Sequence, residues 1–189
     1  MSLEPQPVTY RPLSRALHWT VAVLVIVQVT IGIIMVYEGP EPNVWANLSN
    51  ALQLYTTHKV LGLVILAFVL LRLANRVLGG TPPDADIATV EREASNLVHA
   101  WMYFLLLVVP LLGWIGISLY PALEAFGFNI PALTAPNRTA SEAVFAAHRI
   151  AAFALIGLIL LHVAGALVHH FVHRDDVLGR MLPSVRRRK

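Results

Sequence analysis

The chain has 189 residues, of which 57% are hydrophobic and only 13% are charged, and its formal net charge is +3 at pH 7. Soluble domains carry about a quarter charged residues, so this composition excludes an ordinary soluble protein and favours a membrane protein. The chain contains no cysteine, which excludes disulfides, iron–sulfur clusters, cysteine zinc sites and haem attached through thioether bonds.

Four apolar segments are long enough for a helix to cross the hydrocarbon core, which takes about 20 residues. They predict membrane-spanning helices at about 14–37, 55–78, 95–120 and 140–173. Short polar or proline-rich stretches separate these segments, so we expect a single domain over residues 1–189. The predicted fold is an all-α membrane protein, a bundle of four transmembrane helices.

Local sequence also predicts features of the helix ends. Thr139 and Glu142 fit a capping box at the start of the fourth helix, because a threonine cap and a glutamate three residues later satisfy backbone N–H groups reciprocally. Pro110 lies inside the third segment and predicts a kink that faces protein, since proline leaves one backbone carbonyl without its donor. The first external connection, around Trp45, is expected to form a short surface helix.

Basic residues are unevenly distributed between the two ends of the predicted bundle. Only three basic residues are predicted at the end of the bundle opposite the termini: Lys59, Arg138 and Arg149. Eleven basic residues are predicted at the end that carries the termini, in the N-terminal stretch, the second connection and the C-terminal tail: Arg11, Arg15, Arg72, Arg76, Arg92, Arg174, Arg180, Arg186, Arg187, Arg188 and Lys189. The positive-inside rule therefore predicts a multi-pass protein of the bacterial inner membrane with both termini cytoplasmic. We expect the basic tail to contact anionic lipid, and the charge gives no argument for a nucleic-acid partner.

Four histidines lie at or inside the apolar segments: His18, His58, His148 and His162. His148 and His162 lie on nearly one face of the fourth helix, roughly 21 Å apart along its axis at about 1.5 Å per residue. Because alternate helices run in opposite directions, His18 shares the inner depth with His162, and His58 shares the outer depth with His148. Two facing imidazoles with a flat ring between them describe a bis-histidine haem. The sequence therefore predicts two non-covalent haem b groups.

Other interpretations of these histidines remain open. An interhelical hydrogen bond explains one buried histidine, but four at two matched depths would cost about 1–3 kcal/mol for each unsatisfied partner. A zinc site is disfavoured because the two pairs lie too far apart to share one tetrahedral ion. A proton relay is weakened because no acidic residue falls inside a helix to continue it. Gly62 and Gly165, close after His58 and His162, fit either room for a haem or plain helix packing.

Two more histidines at the inner depth have competing roles. His99 begins the third helix and is the rival for the inner ligand pair, although an interface anchor or a partner for a haem propionate suits it better. His169 lies seven residues beyond His162, on the same face. There it can hydrogen-bond a quinone carbonyl, with Arg15 nearby on the first helix, or it is an interfacial histidine wetted by headgroups.

Two basic residues directly follow the predicted outer ligands. Lys59 follows His58, and Arg149 follows His148. One role is to neutralise haem propionates through charge-assisted contacts. The other is to draw a small anion toward the outer haem edge by long-range attraction. The two roles are compatible.

Four stretches around the histidines carry a recognisable pattern: Arg15–Trp19, Thr57–Gly62, Arg72–Pro83 and Leu161–Pro183. Together they resemble the bacterial cytochrome b561 family, with its superoxide oxidase branch as the best fit, from about residue 10 to residue 183. The resemblance implies a four-helix diheme membrane protein. It implies that His18 and His162 ligate the inner haem, and that His58 and His148 ligate the outer one.

The resemblance also implies an activity. Because histidines fill both axial positions, neither iron has an open site for oxygen, and we expect outer-sphere transfer of single electrons. Superoxide would give its electron to the outer haem and leave as O₂, and the inner haem would reduce ubiquinone. In the family the counterpart of His99 is not an axial ligand, and a residue matching His169 lies near the quinone.

Two rival functions stay open at this point. The first is a membrane-anchor subunit that passes electrons between quinone and a partner dehydrogenase or hydrogenase, against which the short external loops argue weakly. The second is a transporter or channel, against which the lack of an obviously broken helix pair or an intramembrane carboxylate argues. The favoured function does not require a partner protein.

Overall fold

The structure of the chain is a computed structural model that describes residues 9–36, 53–83, 85 and 87–185. Three parts of the sequence predictions lie outside the described residues: the end of the first helix at Tyr37, the short helix around Trp45, and the tail Arg186–Lys189.

Four long helices form the described fold: α1 Pro12–Val36, α2 Leu54–Gly79, α3 Thr89–Leu119 and α4 Arg138–Val168. Smaller elements follow or connect them: β1 Glu124–Ala125 and β2 Phe128–Asn129 between α3 and α4, a π-helical turn His169–His173, α5 Val177–Met181, and a 3₁₀ turn Pro183–Val185. The four long helices are each apolar and long enough to cross a membrane. The predicted all-α membrane bundle is therefore confirmed.

The core of the bundle is narrow and lies at mid-height. It contains buried aliphatic side chains from all four long helices: Val21, Val25, Ile65, Val69, Leu105, Leu106 and Leu155. Many other large apolar side chains of these helices are exposed on the outside of the bundle. Such a surface is unfavourable in water but is the expected lipid-facing surface of a membrane protein.

A β-hairpin marks one end of the bundle, which we call the hairpin end. Strands β1 and β2 pair antiparallel around a two-residue turn at Phe126 and Gly127. Both turn residues have positive φ, 48° and 83°, which is typical of the type I′ turn and suits a glycine in the second position. The Glu124 carboxylate accepts a hydrogen bond from Gly127 N at 2.9 Å and closes the turn.

The N-terminal and C-terminal segments meet at the opposite end, which we call the termini end. Tyr10 N donates to Arg180 O at 3.2 Å, and Trp19 Nε1 donates to Met181 O at 3.2 Å. The Arg180 guanidinium also donates to Pro83 O at 2.7 Å. These bonds tie the segment after α4 to the start of α1 and to the connection between α2 and α3.

Two predicted helix ends differ from the observed ones. The predicted cap Thr139 is wrong: α4 begins at Arg138, and its N-cap is Asn137, whose side chain accepts from Ala140 N at 3.1 Å. Asparagine is among the best N-caps, and here it satisfies the N–H that a threonine two residues later cannot reach. Helix α3 begins at Thr89 rather than near residue 95, because its charged first turns extend beyond the apolar run. It continues through Pro110, which faces the interior of the bundle.

Replacing the observed cap should destabilise the protein more than replacing the sequence-predicted one. We expect Asn137→Ala to lower the free energy of unfolding by about 1 kcal/mol, because the first turn of α4 loses its side-chain acceptor. Thr139→Ala is the matched control, and its effect should be several times smaller. Denaturation followed by circular dichroism measures both. An equal or larger loss with Thr139→Ala would contradict this account of the helix end.

Candidate functional site

Histidine, arginine and glycine residues inside the bundle lie in two layers, and the same fourteen-residue step separates the layers on every long helix. The hairpin layer consists of Gly32, His58, Gly113 and His148. The termini layer consists of His18, Arg72, His99 and His162. Fourteen residues are about four helical turns, so the layers are roughly 21 Å apart and face the same interior.

Each layer contains one histidine pair at the separation expected for a shared metal ion. The ring centroids are 6.2 Å apart for His58 and His148, and 6.3 Å apart for His18 and His162. An imidazole–metal bond is about 2.0–2.1 Å, and with about 1.2 Å from ring centre to nitrogen a linear arrangement gives roughly 6.4 Å. The predicted partners are therefore brought together in both layers.

His99 lies in the termini layer but at a different distance. Its ring centroid is 5.0 Å from that of His162, which is too short for two imidazoles on opposite sides of one ion. Its Nδ1 is 3.2 Å from Ser95 Oγ, a hydrogen bond within α3. This geometry favours His18 over His99 as the ring that faces His162.

Both rings of the hairpin layer line one large cavity. Its volume is about 620 Å³, within the usual range of about 300–1,000 Å³ for cofactor pockets. Most of its wall is apolar, including Met35, Leu63, Pro110, Trp114, Ile117 and Phe145. Such a cavity, lined by both imidazoles, fits a flat apolar macrocycle such as haem.

One of these imidazoles has a hydrogen bond that assigns its protonated nitrogen. His148 Nδ1 lies 2.9 Å from the Val109 carbonyl. A carbonyl only accepts, so Nδ1 carries the proton and Nε2 keeps its lone pair, the form in which histidine binds a metal. Within the described ranges, the buried Nδ1 atoms of His58 and His18 have no hydrogen-bond partner. Their rings therefore gain nothing from a purely structural hydrogen bond through that nitrogen.

Glycines on the neighbouring helices make room for the hairpin-layer rings. A Cβ at Gly32 would lie 3.4 Å from His58 Cε1, and one at Gly113 would lie 3.3 Å from His148 Cε1. From the sequence, Gly62 and Gly165 fit either this role or plain helix packing. Gly62 does line the cavity, where its Cβ would meet the Gln28 amide at 3.3 Å, but a Cβ at Gly165 would meet no described atom within 4 Å.

The helix pairs that carry the facing histidines are not the closely packed ones. In the described part of the chain, close backbone packing joins α1 to α2, α2 to α3, and α3 to α4. The histidine pairs instead join α1 to α4 and α2 to α4. The wider separation of these helices is what leaves space between the rings.

Basic side chains at the hairpin end have distinct positions. Lys59 lines the cavity, and its ammonium donates to Ala122 O at 3.1 Å and to Glu124 O, which fastens α2 to the hairpin. Arg138 also lines the cavity, with its guanidinium 4.8 Å from the Tyr120 ring centre. Arg149 is exposed and is not among the described residues that line the cavity.

The predicted quinone residues lie at the termini end. His169 Nδ1 is 2.6 Å from Asp175 Oδ2, so the ring is held by a carboxylate six residues later. Arg15 is not among the hydrogen-bond partners of His169 in the described ranges, and its buried Nε has no partner there. Arg72, in the termini layer, lies 5.2 Å from the Tyr103 ring centre and close enough to His18 to interact electrostatically.

The fourteen-residue step could have located the residues that sequence reasoning missed. The sequence prediction uses this step only between His148 and His162. Applied to the other histidines, the same step leads from His18 to Gly32, from His58 to Arg72, and from His99 to Gly113. Each of these three residues lies on the same helix as the histidine that the step starts from, but in the other layer.

An apolar four-helix bundle with facing histidine pairs and no cysteine defines the class of this protein. It is a membrane cytochrome b, an electron carrier that holds haem without thioether bonds.

The chain belongs to the prokaryotic cytochrome b561 family, which it matches over residues 9–184 and whose members bind two haems. It is 29% identical to cytochrome b561 homolog 2 of Escherichia coli over 189 residues, 96% of this chain and 95% of that protein. It is 30% identical to cytochrome b562 of Cereibacter sphaeroides over 173 residues, 92% and 94% of the two chains. It is 28% identical over 181 residues to a Yersinia pestis protein named probable superoxide oxidase CybB, 94% and 97% of the two chains.

Filling the space beside a hairpin-layer ring should remove haem from that layer. We expect Gly113→Leu to lose about half of the bound haem, because its side chain would occupy the position of the His148 ring. Gly157→Leu is the matched control on α4, since a Cβ there meets no described atom within 4 Å. The haem-to-protein ratio of each purified variant is the measurement. A full haem content in Gly113→Leu, or an equal loss in the control, would contradict the prediction.

Proposed function

We propose that this protein carries single electrons from superoxide to a quinone through two haem b groups. His58 and His148 would ligate the haem of the hairpin layer, and His18 and His162 that of the termini layer. The observation that carries the proposal is the equal separation of the two facing imidazole pairs, 6.2 and 6.3 Å, at two heights of one apolar bundle.

Bound haem supplies reversible one-electron exchange at iron, and the protein supplies ligation, spacing and the surrounding charge. Two histidines per iron fill both axial positions, so oxygen species have no open coordination site and react at the haem edge. The apolar core between the layers keeps water away from the path between them. This arrangement suits outer-sphere transfer and disfavours oxygen activation.

The proposed orientation places the hairpin end outside the cytoplasm and the termini end inside. It is supported by the eleven basic residues of the terminal segments and second connection, against three at the hairpin end. In a bacterial inner membrane the hairpin layer would then face the periplasm. Superoxide formed there would reach it without crossing lipid.

Superoxide as the donor is supported by charge at the hairpin end and by one relative's name. Lys59 and Arg138 line the cavity and place positive charge where a small anion would approach. The Yersinia pestis relative is named a probable superoxide oxidase. Two superoxide anions would each give one electron and leave as O₂. Together with two protons, these electrons reduce one quinone to the quinol.

The three basic residues at this end differ in position, and we propose different roles for them. Lys59 is held by hairpin carbonyls, so it keeps a fixed position at the cavity. Arg138 is exposed like Arg149, but it lines the cavity and its guanidinium lies over the Tyr120 ring. Arg149, proposed from sequence as a steering residue, is exposed and contributes through the long-range field alone. We therefore assign Arg138 a larger part than Arg149.

Quinone reduction is proposed at the termini end, where His169 and Arg15 were predicted to act. When His169 is protonated, Nδ1–H donates to Asp175 and Nε2–H is free to donate to a quinone carbonyl. The buried Nε of Arg15 is a second donor without a protein partner in the described ranges.

A membrane-anchor role is the second candidate, and it would use the same two haems with a different donor. The described connection between α3 and α4 offers only a short hairpin, with exposed Phe126 and Phe128, for a partner subunit to contact. Reduction of the isolated protein by superoxide alone would favour the first function. Reduction only in the presence of a partner dehydrogenase would favour the second.

Stopped-flow reduction of the haems by superoxide tests the proposal and the role of charge. The wild-type protein should be reduced rapidly, with a rate that falls as ionic strength rises. Arg138→Gln should slow this reaction by about tenfold at low salt and flatten its salt dependence, because a charge at the cavity is lost. Arg149→Gln is the matched comparison, with a clearly smaller effect. If superoxide does not reduce the wild-type protein, or if the two variants are equally impaired, the proposed steering fails.

A further inference from the structure

We propose that Glu91, His169 and His173 form a binding site for a zinc-like divalent metal ion at the termini end, separate from both haem layers. One possible ligand atom of each residue lies within 4.8 Å of the others. Glu91 comes from the first turn of α3, and the two histidines come from the π-helical turn after α4. An ion there would join the start of one transmembrane helix to the end of another.

The distance between the carboxylate and one imidazole fits two ligands of the same ion. His173 Nδ1 lies 3.6 Å from Glu91 Oε1, which is too long for a hydrogen bond. Around a tetrahedral ion with bonds of about 2.0–2.2 Å, neighbouring ligand atoms are roughly 3.3–3.6 Å apart. The observed gap is therefore the one that a bound ion would bridge.

The two histidines lie four positions apart on one helical turn, so their side chains share a face. The ring centroids of His169 and His173 are 5.0 Å apart. Short π-helical turns occur frequently at functional sites, and this one ends at Arg174, whose φ of 58° is left-handed. The backbone departs from regular helix where the ligands are grouped.

A carboxylate already orients one of the proposed ligands. His169 Nδ1 is 2.6 Å from Asp175 Oδ2, so this nitrogen donates and Nε2 is left with the lone pair. The other oxygen of Asp175 accepts from Val177 N at 3.0 Å, which fixes the carboxylate. A carboxylate–histidine–metal chain of this kind is the usual surrounding of a zinc-binding histidine.

The donor set and its exposure indicate the kind of ion. Two imidazoles and one carboxylate leave a fourth position open, and this combination suits Zn²⁺ better than Mg²⁺ or Ca²⁺, which prefer oxygen ligands. The side chains of Glu91 and His173 are each 37% exposed, and that of His169 is 14% exposed. An ion can therefore enter from the aqueous side.

Occupation of this site would regulate quinone reduction, and this consequence rests on the proposed function. An ion bound to His169 Nε2 would occupy the nitrogen whose N–H is proposed to donate to the quinone carbonyl. Zn²⁺ should then slow electron transfer from the reduced protein to a quinone. It should leave reduction of the haems by superoxide at the hairpin end unchanged, because the two ends are separate.

The binding test uses the purified haem-loaded protein in detergent with Zn²⁺ and a chromophoric zinc chelator as competitor. The wild-type protein should bind one Zn²⁺ per chain. Glu91→Gln and His173→Gln should each weaken binding by at least about tenfold, since each removes a ligand. His170→Gln is the matched control on the same turn and should bind as the wild type does. Haem spectra of every variant report whether it has folded.

The outcomes separate the site from its function. Absence of Zn²⁺ binding by the wild-type protein, or equal weakening by His170→Gln and His173→Gln, would overturn the metal site. Normal binding that slows quinone reduction in the wild type but not in His173→Gln would support both the site and its regulatory role. Normal binding with no effect on quinone reduction would keep the metal site and overturn the link to quinone.

Discussion

A buried imidazole surrounded by lipid and aliphatic side chains must have its ring nitrogens bound, and the interior of this bundle is organised around that constraint. Leaving such a nitrogen unsatisfied costs about 1–3 kcal/mol, whereas leucine would cost nothing at the same position. His148 uses Nδ1 for the Val109 carbonyl and keeps the lone pair of Nε2, and its ring lines the cavity. His58 faces it across 6.2 Å, and its buried Nδ1 has no partner among the described residues. A haem iron between the rings would bind one nitrogen of each imidazole.

The spacing along the helices keeps the two layers aligned. Each long helix also contributes one residue to a central apolar layer, and this residue lies seven positions from the helix's member of either outer layer. The four residues are Val25, Ile65, Leu106 and Leu155. Residues seven positions apart lie on nearly the same face of a helix, as in a coiled coil. In this bundle the residues on that inward face alternate between polar and apolar layers. The helices thus present a polar layer, a dry layer and a second polar layer at intervals of about 10 Å. This architecture holds two redox sites apart while excluding water from the space between them.

The sequence predicted the features that depend on position along one helix, such as the spans and the depths of the histidines. It did not predict the features that depend on how neighbouring helices are rotated, such as which side chains line the cavity. Hydropathy located four spans, and the depth of each histidine gave partners that the structure brings to 6.2 and 6.3 Å. The start of α3 at Thr89 was missed because apolarity reports burial in lipid rather than helix length. Lys59 and Arg149 each follow a predicted ligand, but only Lys59 is among the described residues that line the cavity. Arg138, which follows no predicted ligand, lines it as well. Gly32 and Gly113 were missed because their role appears only when the ring from another helix is in place.

The pairing of the histidines is the central claim, and the haem content of single and double alanine variants tests it most directly. His58→Ala and His148→Ala should each lose the same haem, so the double variant should lose no more than either single one. His18→Ala and His162→Ala should together lose only the other haem, and His99→Ala should keep both. Loss of both haems from the His58→Ala/His148→Ala double variant, or loss of a haem from His99→Ala but not from His18→Ala, would contradict the account.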